Sequence, residues 1–327
     1  MWPPSIDRWL DRITSTDPRT NVYGAARTLL ALSTLLTLAF TDTFALFRPA
    51  LGIETFPMCS GGLRGFTLFC MMPTHLELAK VVAIIALIVV ASGWRPRLTG
   101  VAHWWISYSF MNSAILVDGG DQVTSVLTLL LIPVTLLDQR RWHWLPPPRV
   151  EGVTYSESSQ RLVCSSVIQV IRLQVALIYL HAAIAKCAVA EWTNGTALYY
   201  WFTDPVFGSP SWLDPLLTPL LAYGPFVTLL TWSVIVLEFS LFASLLADQK
   251  YLPILMIVGI SFHLGIALIH GLISFSITMT AALILLLRPA RQTFAVPRWL
   301  TRMKWSSLVP RSVLMRPVTT GTPASAR

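Results

Sequence analysis

A lysine near the end of an apolar stretch is the first candidate for chemistry in this chain. Residues 177–195, LIYLHAAIAKCAVAEWTNG, begin as an apolar helix and place Lys186 close to its end. A partly buried amine gives up its proton more readily than a solvated one and can act as a general base. The alternative is a lysine whose long side chain reaches the membrane surface and only anchors the helix.

The helix that carries this lysine has a polar face. Arg172, Tyr179 and Lys186 are spaced by seven residues and therefore share that face, whereas His181 lies well round the helix from Lys186. Polar side chains in a membrane helix face the bundle rather than lipid. We therefore predict that Lys186 is catalytic and that Tyr179 contacts substrate, and we keep His181 as a further catalytic candidate.

Two later apolar stretches contribute further polar candidates. His263 and His270 are seven residues apart on one helical face, and Glu238 lies in the middle of VIVLEFSLF. We expect Glu238 to be protonated or paired with Arg172 or His263, because an isolated carboxylate is costly in a membrane. His263, His270 and Glu238 could equally form hydrogen bonds that only hold neighbouring helices together. No HxxxH or HExxH motif occurs, so no metal site is predicted.

A short acidic turn could add carboxylates to the same site. In VDGGDQ, residues 117–122, two glycines permit positive φ, and Asp121 could cap the following helix. If this turn faces the same side as Lys186, Asp118 and Asp121 could also orient the lysine. We keep both interpretations, with His270 and Asp121 as catalytic candidates and Asp118, Glu238 and His263 as substrate-binding candidates.

The segment after the lysine is rich in aromatic residues. EWTNGTALYYWF, residues 191–202, is typical of an interfacial segment that lies along a membrane surface. It would cover the mouth of the preceding helix, and Trp192 is its nearest substrate-binding candidate.

Four cysteines divide into one expected pair and two single thiols. Cys59 and Cys70 flank SGGLRGFTLF, and in an oxidising compartment we expect them to form a disulfide. The disulfide could be a structural staple or a redox-active pair. Cys164 and Cys187 are expected at opposite membrane faces and should not pair.

Composition places these residues in a membrane protein. Of 327 residues, 54% are hydrophobic and only 12% are charged, and the mean hydropathy is +0.62. Soluble domains carry about 25% charged residues. We predict an all-α, polytopic transmembrane helical bundle of about eight spans, without a cleavable signal peptide. The spans are predicted at 22–40, 76–92, 100–117, 122–138, 165–187, 226–247, 252–270 and 272–288.

The basic residues predict the orientation. They concentrate before span one, after spans two, four and six, and in the tail, whereas residues 188–225 contain no lysine or arginine. The positive-inside rule then places both termini in the cytoplasm of a multi-pass cell-membrane protein, with Arg48 and Arg64 as exceptions in an outer loop. Basic segments at the membrane surface, attracted to anionic lipid, explain the net charge of +8. We therefore predict the lipid bilayer, and not nucleic acid, as the partner of these segments.

The same pattern divides the chain into three parts. Residues 1–20 are expected to be a cytoplasmic segment, 21–288 the transmembrane domain, and 289–327 a basic, disordered cytoplasmic tail. The site candidates then fall at or near the outer ends of their spans.

Several motifs together resemble a known family. YLHAAIAK followed by W-x-x-G-T-A-L, the later FHLGIALIHGLISFSITMTAALILL, the VDGGD turn and N-x-Y-G-x-A-R-T-L-L at 21–30 resemble the HTTM membrane domain. Vitamin K-dependent γ-carboxylases share this domain. The loop CSGGLRGFTLFC and the compact length look most like its SdpB group, and the resemblance covers most of residues 20–288.

The resemblance implies a function and a role for the lysine. Members of the SdpB group accompany production of a secreted antimicrobial peptide of the sporulation-delaying type. In the carboxylases, a lysine before the W-x-x-G motif is the base that deprotonates a reduced quinone, and Lys186 is the nearest match. The implied partners are a peptide precursor and a second protein of the same system, and the implied cofactor is a quinone.

The chain also departs from the carboxylases. It leaves no room after span eight for the large soluble domain that holds their glutamate substrates, so glutamate carboxylation does not transfer directly. We therefore predict a membrane-embedded peptide-modifying enzyme that acts at the outer face. The alternatives are a non-enzymatic peptide exporter or scaffold, and a disulfide-handling protein that uses Cys59 and Cys70.

Overall fold

A computed structural model describes residues 15–49, 56–147, 154–289 and 292–294. Met1–Thr293 form one compact unit; of the second unit, Phe294–Arg327, only Phe294 is described. Most of the predicted cytoplasmic segment 1–20 and most of the basic tail 289–327 therefore lie outside the described residues. All the helices named below belong to the first unit.

Among the described residues, eight long helices form the bundle, and each overlaps a predicted span. They are α1 (Asn21–Phe40), α2 (Leu76–Ser92), α3 (Pro96–Ser113), α4 (Gly119–Leu136), α5 (Tyr155–Cys187), α6 (Gly224–Ala243), α7 (Leu252–His270) and α8 (Ile273–Leu287). Within the described residues, α1, α4, α5, α6 and α7 are long and apolar enough to cross a membrane. The all-helical class is thus confirmed for the described residues, and these five helices support a membrane protein, while the number of spans stays a prediction.

Short helices connect the long ones. They are Thr43–Phe47, the 3-10 turn Gly62–Phe66, Leu68–Met71, Ala190–Thr193, Ala197–Phe202 and Asp214–Leu221. The aromatic segment after α5 is therefore two short helices, and its position at a membrane surface stays a prediction.

Local chemistry explains where several long helices begin and end. The Thr20 hydroxyl accepts a hydrogen bond from the backbone N–H of Val22 at the start of α1, and the Thr154 hydroxyl accepts one from that of Glu157 at the start of α5. These caps satisfy backbone donors that a helix leaves unpaired. At the C-terminal ends of α2 and α7, Gly93 and Gly271 adopt the left-handed conformation that favours glycine.

Helix α8 is the centre of the bundle. It packs against α1, α4, α5 and α7, and nearly every residue from Ala281 to Leu287 is buried. The hydroxyl of Thr278 donates to Ser33 on α1 and is hydrogen-bonded to Thr124 on α4, at 2.7 and 2.9 Å. An apolar helix held by hydroxyl pairs is a common way to join membrane helices, because lipid offers these hydroxyls no partner. This helix fixes the positions of the helices that carry the site.

Charged side chains join the N-terminal ends of α1 and α5 at one end of the bundle, which we call the basic end. Arg19 is hydrogen-bonded to Asp17 and Glu157 and donates to the carbonyl of Leu137 at 2.8 Å. Arg161 also pairs with Glu157, at 3.2 Å. These pairs bring together segments that the sequence predicts on the cytoplasmic side, and that assignment of sides stays a prediction.

The imidazole of His143 fills a slot at the basic end. A Cβ atom on Gly24 or Gly93 would approach its ring to 2.9 or 2.5 Å, so both positions require glycine. The ring is fully buried, and Arg27 and Arg140 contribute positive charge around it. Burial, followed by these two cations, holds the pKa of His143 well below its usual range. The loop that carries His143 is therefore tied to α1 and α2 by a neutral histidine.

Candidate functional site

A cavity of about 1110 Å³ lies at the end of the bundle opposite the basic end. Side chains from α4, α5, α6, α7 and α8 line it, most of them apolar. All nine residues that the sequence proposes for catalysis or substrate binding are on its wall. They are Lys186, His181, His270, Asp121, Tyr179, Trp192, Asp118, Glu238 and His263. Their roles stay predictions, but their assembly in one cavity is a structural fact.

The main electrostatic feature of the cavity is an ion pair between α5 and α6. Lys186 Nζ donates to Glu238 Oε1 at 2.7 Å, and the two side chains are 22% and 6% exposed. The expected partners of Glu238 were therefore wrong. His263 is hydrogen-bonded to Tyr179, and Arg172 donates to the backbone carbonyl of Leu286, whereas Glu238 on α6 lies beside the end of α5.

The turn after α5 supports the lysine. The ring of Trp192 lies under the ammonium group of Lys186, at 5.2 Å from Nζ to the ring centroid. Gly195 has a φ of +81°, and a Cβ there would lie 2.6 Å from the methyl group of Thr228 on α6. The W-x-x-G motif therefore has two physical tasks. Its tryptophan contacts the lysine by a cation–π interaction, and its glycine permits close approach to α6.

A tyrosine–histidine pair lies deeper in the cavity wall. The Tyr179 hydroxyl and His263 Nε2 are 3.0 Å apart, and both side chains are 2% exposed. The ring of Phe275 on α8 contacts the imidazole edge-to-face, with 5.6 Å between centroids. The other imidazole nitrogen, Nδ1, is buried and has no hydrogen-bond partner among the described residues.

The acidic turn caps α4, as one of the two interpretations predicted. The carboxylate of Asp118 accepts from the backbone N–H groups of Gly120 and Asp121, and Asp121 accepts from the backbone N–H of Asp118. This is a capping box in which Asp118, not Asp121, is the N-cap. Burial raises the pKa of Asp118, although the two N–H donors oppose the shift. Lys186 is paired with Glu238, so neither aspartate forms an ion pair with it among the described residues.

The two glycines of this turn serve packing and not unusual backbone geometry. Gly119 and Gly120 lie in the first turn of α4, and neither is among the described glycines with positive φ. A Cβ on Gly120 would approach the Cα atom of Phe275 to 3.0 Å. The turn therefore does not use the positive φ that its glycines permit, and the absence of a side chain at Gly120 instead lets α4 approach α8.

Two histidines flank the mouth of the cavity. His270 Nδ1 is 2.6 Å from the carbonyl oxygen of Phe207, and its ring contacts those of Trp201 and Phe202. His181 is exposed at the rim. The contact with Phe207 ties the aromatic segment to the end of α7 and keeps that segment beside the opening.

The polar face of α5 divides within the helix. Arg172 donates to the carbonyl of Leu286 at 2.9 Å and to Gln169, and it is not on the cavity wall. Of the three residues that share this face, only Tyr179 and Lys186 therefore belong to the cavity.

The cysteines adopt the predicted states. Cys59 and Cys70 form a disulfide, whereas Cys164 is buried and Cys187 exposed, both with free thiols. The disulfide lies outside the cavity wall, and the described residues contain no cluster of three or more metal-binding side chains.

The sequence did not point to several cavity residues. Phe275, Gln174 and Phe207 line the cavity with the predicted nine, and so does Trp201 of the predicted aromatic segment. Phe275 and Phe207 lack a titratable group and fall outside the polar spacing that identified the others, so only the packing of α8 and of the aromatic segment reveals them.

Comparison with known proteins identifies relatives along most of the chain. The chain is 39% identical over 305 residues to a Bacillus subtilis (strain 168) protein named Uncharacterized protein YitO, with 92% of this chain and 94% of that protein covered. It is 38% identical over 295 residues to Sporulation-delaying protein SdpB of the same strain, with 89% and 88% covered. The chain belongs to the SdpB-like family. No family model and no solved structure matches, so the link of this SdpB-like chain to the HTTM domain stays a prediction.

Proposed function

We propose that this SdpB-like chain is a membrane protein that matures a secreted peptide of the sporulation-delaying type, with the peptide processed in the cavity beside Lys186. The observation that carries the proposal is the Lys186–Glu238 ion pair on the wall of a large apolar cavity. Partly buried charges in a large concave site are typical of catalytic centres. The name of the SdpB relative supports the substrate class.

The ion pair gives the cavity a means to move one proton. Transfer of a proton from Lys186 Nζ to Glu238 Oε1, across 2.7 Å, leaves a neutral amine and a neutral carboxyl group. The mostly apolar wall of the cavity favours this neutral pair over two charges. The amine then acts as the general base, and Glu238 stores the proton. Trp192 opposes the transfer while its ring contacts the ammonium group, so displacement of Trp192 by substrate promotes it.

The proposed reaction takes place at the extracytoplasmic face. The cavity opens at the end of the bundle that bears the disulfide-linked loop, and disulfides persist in oxidising compartments. A second protein of the same peptide system is the proposed partner. A quinone is a proposed cofactor only through the family resemblance, and its apolar ring would suit the apolar walls.

The same geometry favours maturation over export. An exporter needs a polar path from one membrane face to the other, but Arg172 lies outside the cavity and is bonded to the end of α8. Gln174 is the last polar residue of α5 on the cavity wall in the direction of the basic end, and Arg172 beyond it does not extend the lining.

Mass spectrometry of the secreted peptide tests the proposal. Cells that contain this protein should secrete the precursor with a defined covalent change, and cells without it should not. A peptide that is secreted in lower amount but with unchanged mass would instead indicate export or protection.

A further inference from the structure

Two unpartnered polar atoms on the cavity wall define what a ligand must supply. Glu238 Oε2 and His263 Nδ1 are both buried and have no hydrogen-bond partner among the described residues. Their side chains are only 5% and 2% exposed, and both residues line the cavity. A buried polar atom without a partner is costly, and such atoms in native proteins usually have a ligand or water as partner.

The contact with Tyr179 bears on the role of His263 Nδ1. We assign the Tyr179 hydroxyl as the donor to His263 Nε2, because this hydroxyl has no other acceptor among the described contacts. A neutral imidazole has one N–H, which must then be on Nδ1. The cavity therefore presents one N–H donor, from His263, and needs a carbonyl or similar acceptor opposite it.

The ion pair determines the role of Glu238 Oε2 in the same way. Lys186 occupies Oε1, and the second oxygen remains an acceptor. The surrounding wall is mostly apolar and offers neither atom a protein partner. The complementary ligand therefore has one hydrogen-bond donor and one acceptor within an otherwise apolar body.

We propose that this ligand group is a backbone amide of an apolar peptide segment, with its carbonyl oxygen on His263 Nδ1–H and its N–H on Glu238 Oε2. An amide carries one donor and one acceptor, and the end of an apolar helix leaves such groups unpaired. The volume of about 1110 Å³ exceeds that of most small-molecule sites and has room for several side chains beside the amide. This inference rests on the proposed function, since it takes the peptide as the occupant, and it names the part of the peptide that docks.

Photocrosslinking tests the docking separately from any reaction. Leu177→p-benzoylphenylalanine places the probe on the cavity wall of α5. The same replacement at Val170, also exposed on α5 but outside the cavity, is the matched control. An epitope-tagged precursor of the sporulation-delaying type, co-expressed in the same membranes, should crosslink at 177 and not at 170.

Two substitutions of His263 separate docking from packing. An asparagine at position 263 places its amide nitrogen where Nδ1 lies and can keep the N–H donor toward the ligand. A glutamine places its amide nitrogen near the position of Nε2, so the donor toward the ligand is lost. His263→Asn should retain the crosslink at 177, and His263→Gln should reduce it about fivefold or more, the effect of one unpaired buried group. Glu238→Gln should reduce the crosslink at 177 by a similar factor, because the NH₂ group of the glutamine would face the backbone N–H of the peptide.

Several results would overturn the inference. One is a peptide that fails to crosslink at 177, or that crosslinks equally at 177 and 170. Another is an equal loss of the crosslink in the Asn and Gln variants of His263, or a quinone that copurifies while no peptide crosslinks. A peptide of unchanged mass that still crosslinks with the Asn–Gln difference would reject catalysis but retain amide docking. The failure of one proposal is thus distinguishable from the failure of the other.

Discussion

The Lys186–Glu238 pair should show strong energetic coupling, because removal of either partner leaves the other charge largely buried and unpaired. Lys186→Met leaves a carboxylate that is only 6% exposed without its cation. Removal of one partner from a buried ion pair costs about 3–5 kcal/mol. Glu238→Met leaves a lysine that is 22% exposed and still contacts Trp192, so its cost should be smaller, about 1–3 kcal/mol.

The double variant supplies the decisive comparison. With methionine at both 186 and 238, no unpaired charge remains, and apolar replacement of a whole buried pair is often close to neutral. The double variant should therefore be more stable than Lys186→Met alone, with a coupling energy of about 2 kcal/mol or more.

Thermal unfolding in detergent, followed by the fluorescence of a thiol-reactive or tryptophan probe, measures this cycle. At roughly 2 °C or more per kcal/mol for a protein of this size, Lys186→Met should lower the Tm by at least about 6 °C. The Tm of the double variant should recover by several degrees. If the two single losses simply add in the double variant, the side chains do not interact as described and the reasoning is refuted.

Three further predictions concern the parts that support the site. Because His143 is buried and neutral with a lowered pKa, the unfolded chain binds a proton below about pH 6.5 that the folded chain excludes. The Tm should therefore fall as the pH is lowered from 7.5 to 5.5, by the equivalent of about 1.4 kcal/mol per pH unit below 6.5, and His143→Gln should reduce this dependence. Replacement of Cys59 and Cys70 by serine should cost about 2–4 kcal/mol in thermal unfolding but leave the mass of the secreted peptide unchanged, as for a structural staple. Gly195→Ala should lower the Tm by the equivalent of about 1–3 kcal/mol, because its backbone is left-handed and a methyl group would contact α6. Gly224→Ala, where a Cβ meets open space, is the matched control and should be close to neutral.

Each of these has a clear contrary result. An unchanged pH dependence in the His143 variant would place the responsible proton elsewhere. Loss of peptide maturation in the serine variant would favour the disulfide-handling alternative over the staple. Equal effects of alanine at 195 and 224 would show that the turn after α5 does not need its left-handed glycine.

The positions of the helices could be predicted because long apolar runs have few alternatives. The span at 76–92 and α2 coincide, as do the span at 252–270 and α7. The start of α5 could not be predicted from hydropathy. This helix begins ten residues before the predicted span, at Tyr155, where a threonine cap and charged side chains at the basic end support a polar helical segment.

Spacing predicted the membership of the cavity but not its contacts. Side chains seven residues apart stay on one face, so Tyr179 with Lys186 and His263 with His270 reach the same cavity. Which residue pairs with Glu238 depends on the rotation of α6 about its own axis. That rotation is set by packing with α5 and by close approaches such as that of Gly195, and apolar periodicity contains little information about it because α6 is apolar on nearly all sides.

The most direct test of the central claim is the mass of the secreted peptide from cells that carry the wild-type protein, Lys186→Ala or Arg172→Ala, at matched membrane levels. Arg172 shares the helical face of Lys186 but lies outside the cavity, so it controls for loss of a cation from α5. Our account predicts that the covalent change in the peptide is lost with Lys186→Ala and retained with Arg172→Ala. A fully modified peptide from the Lys186→Ala strain would contradict the assignment of this lysine to the chemistry.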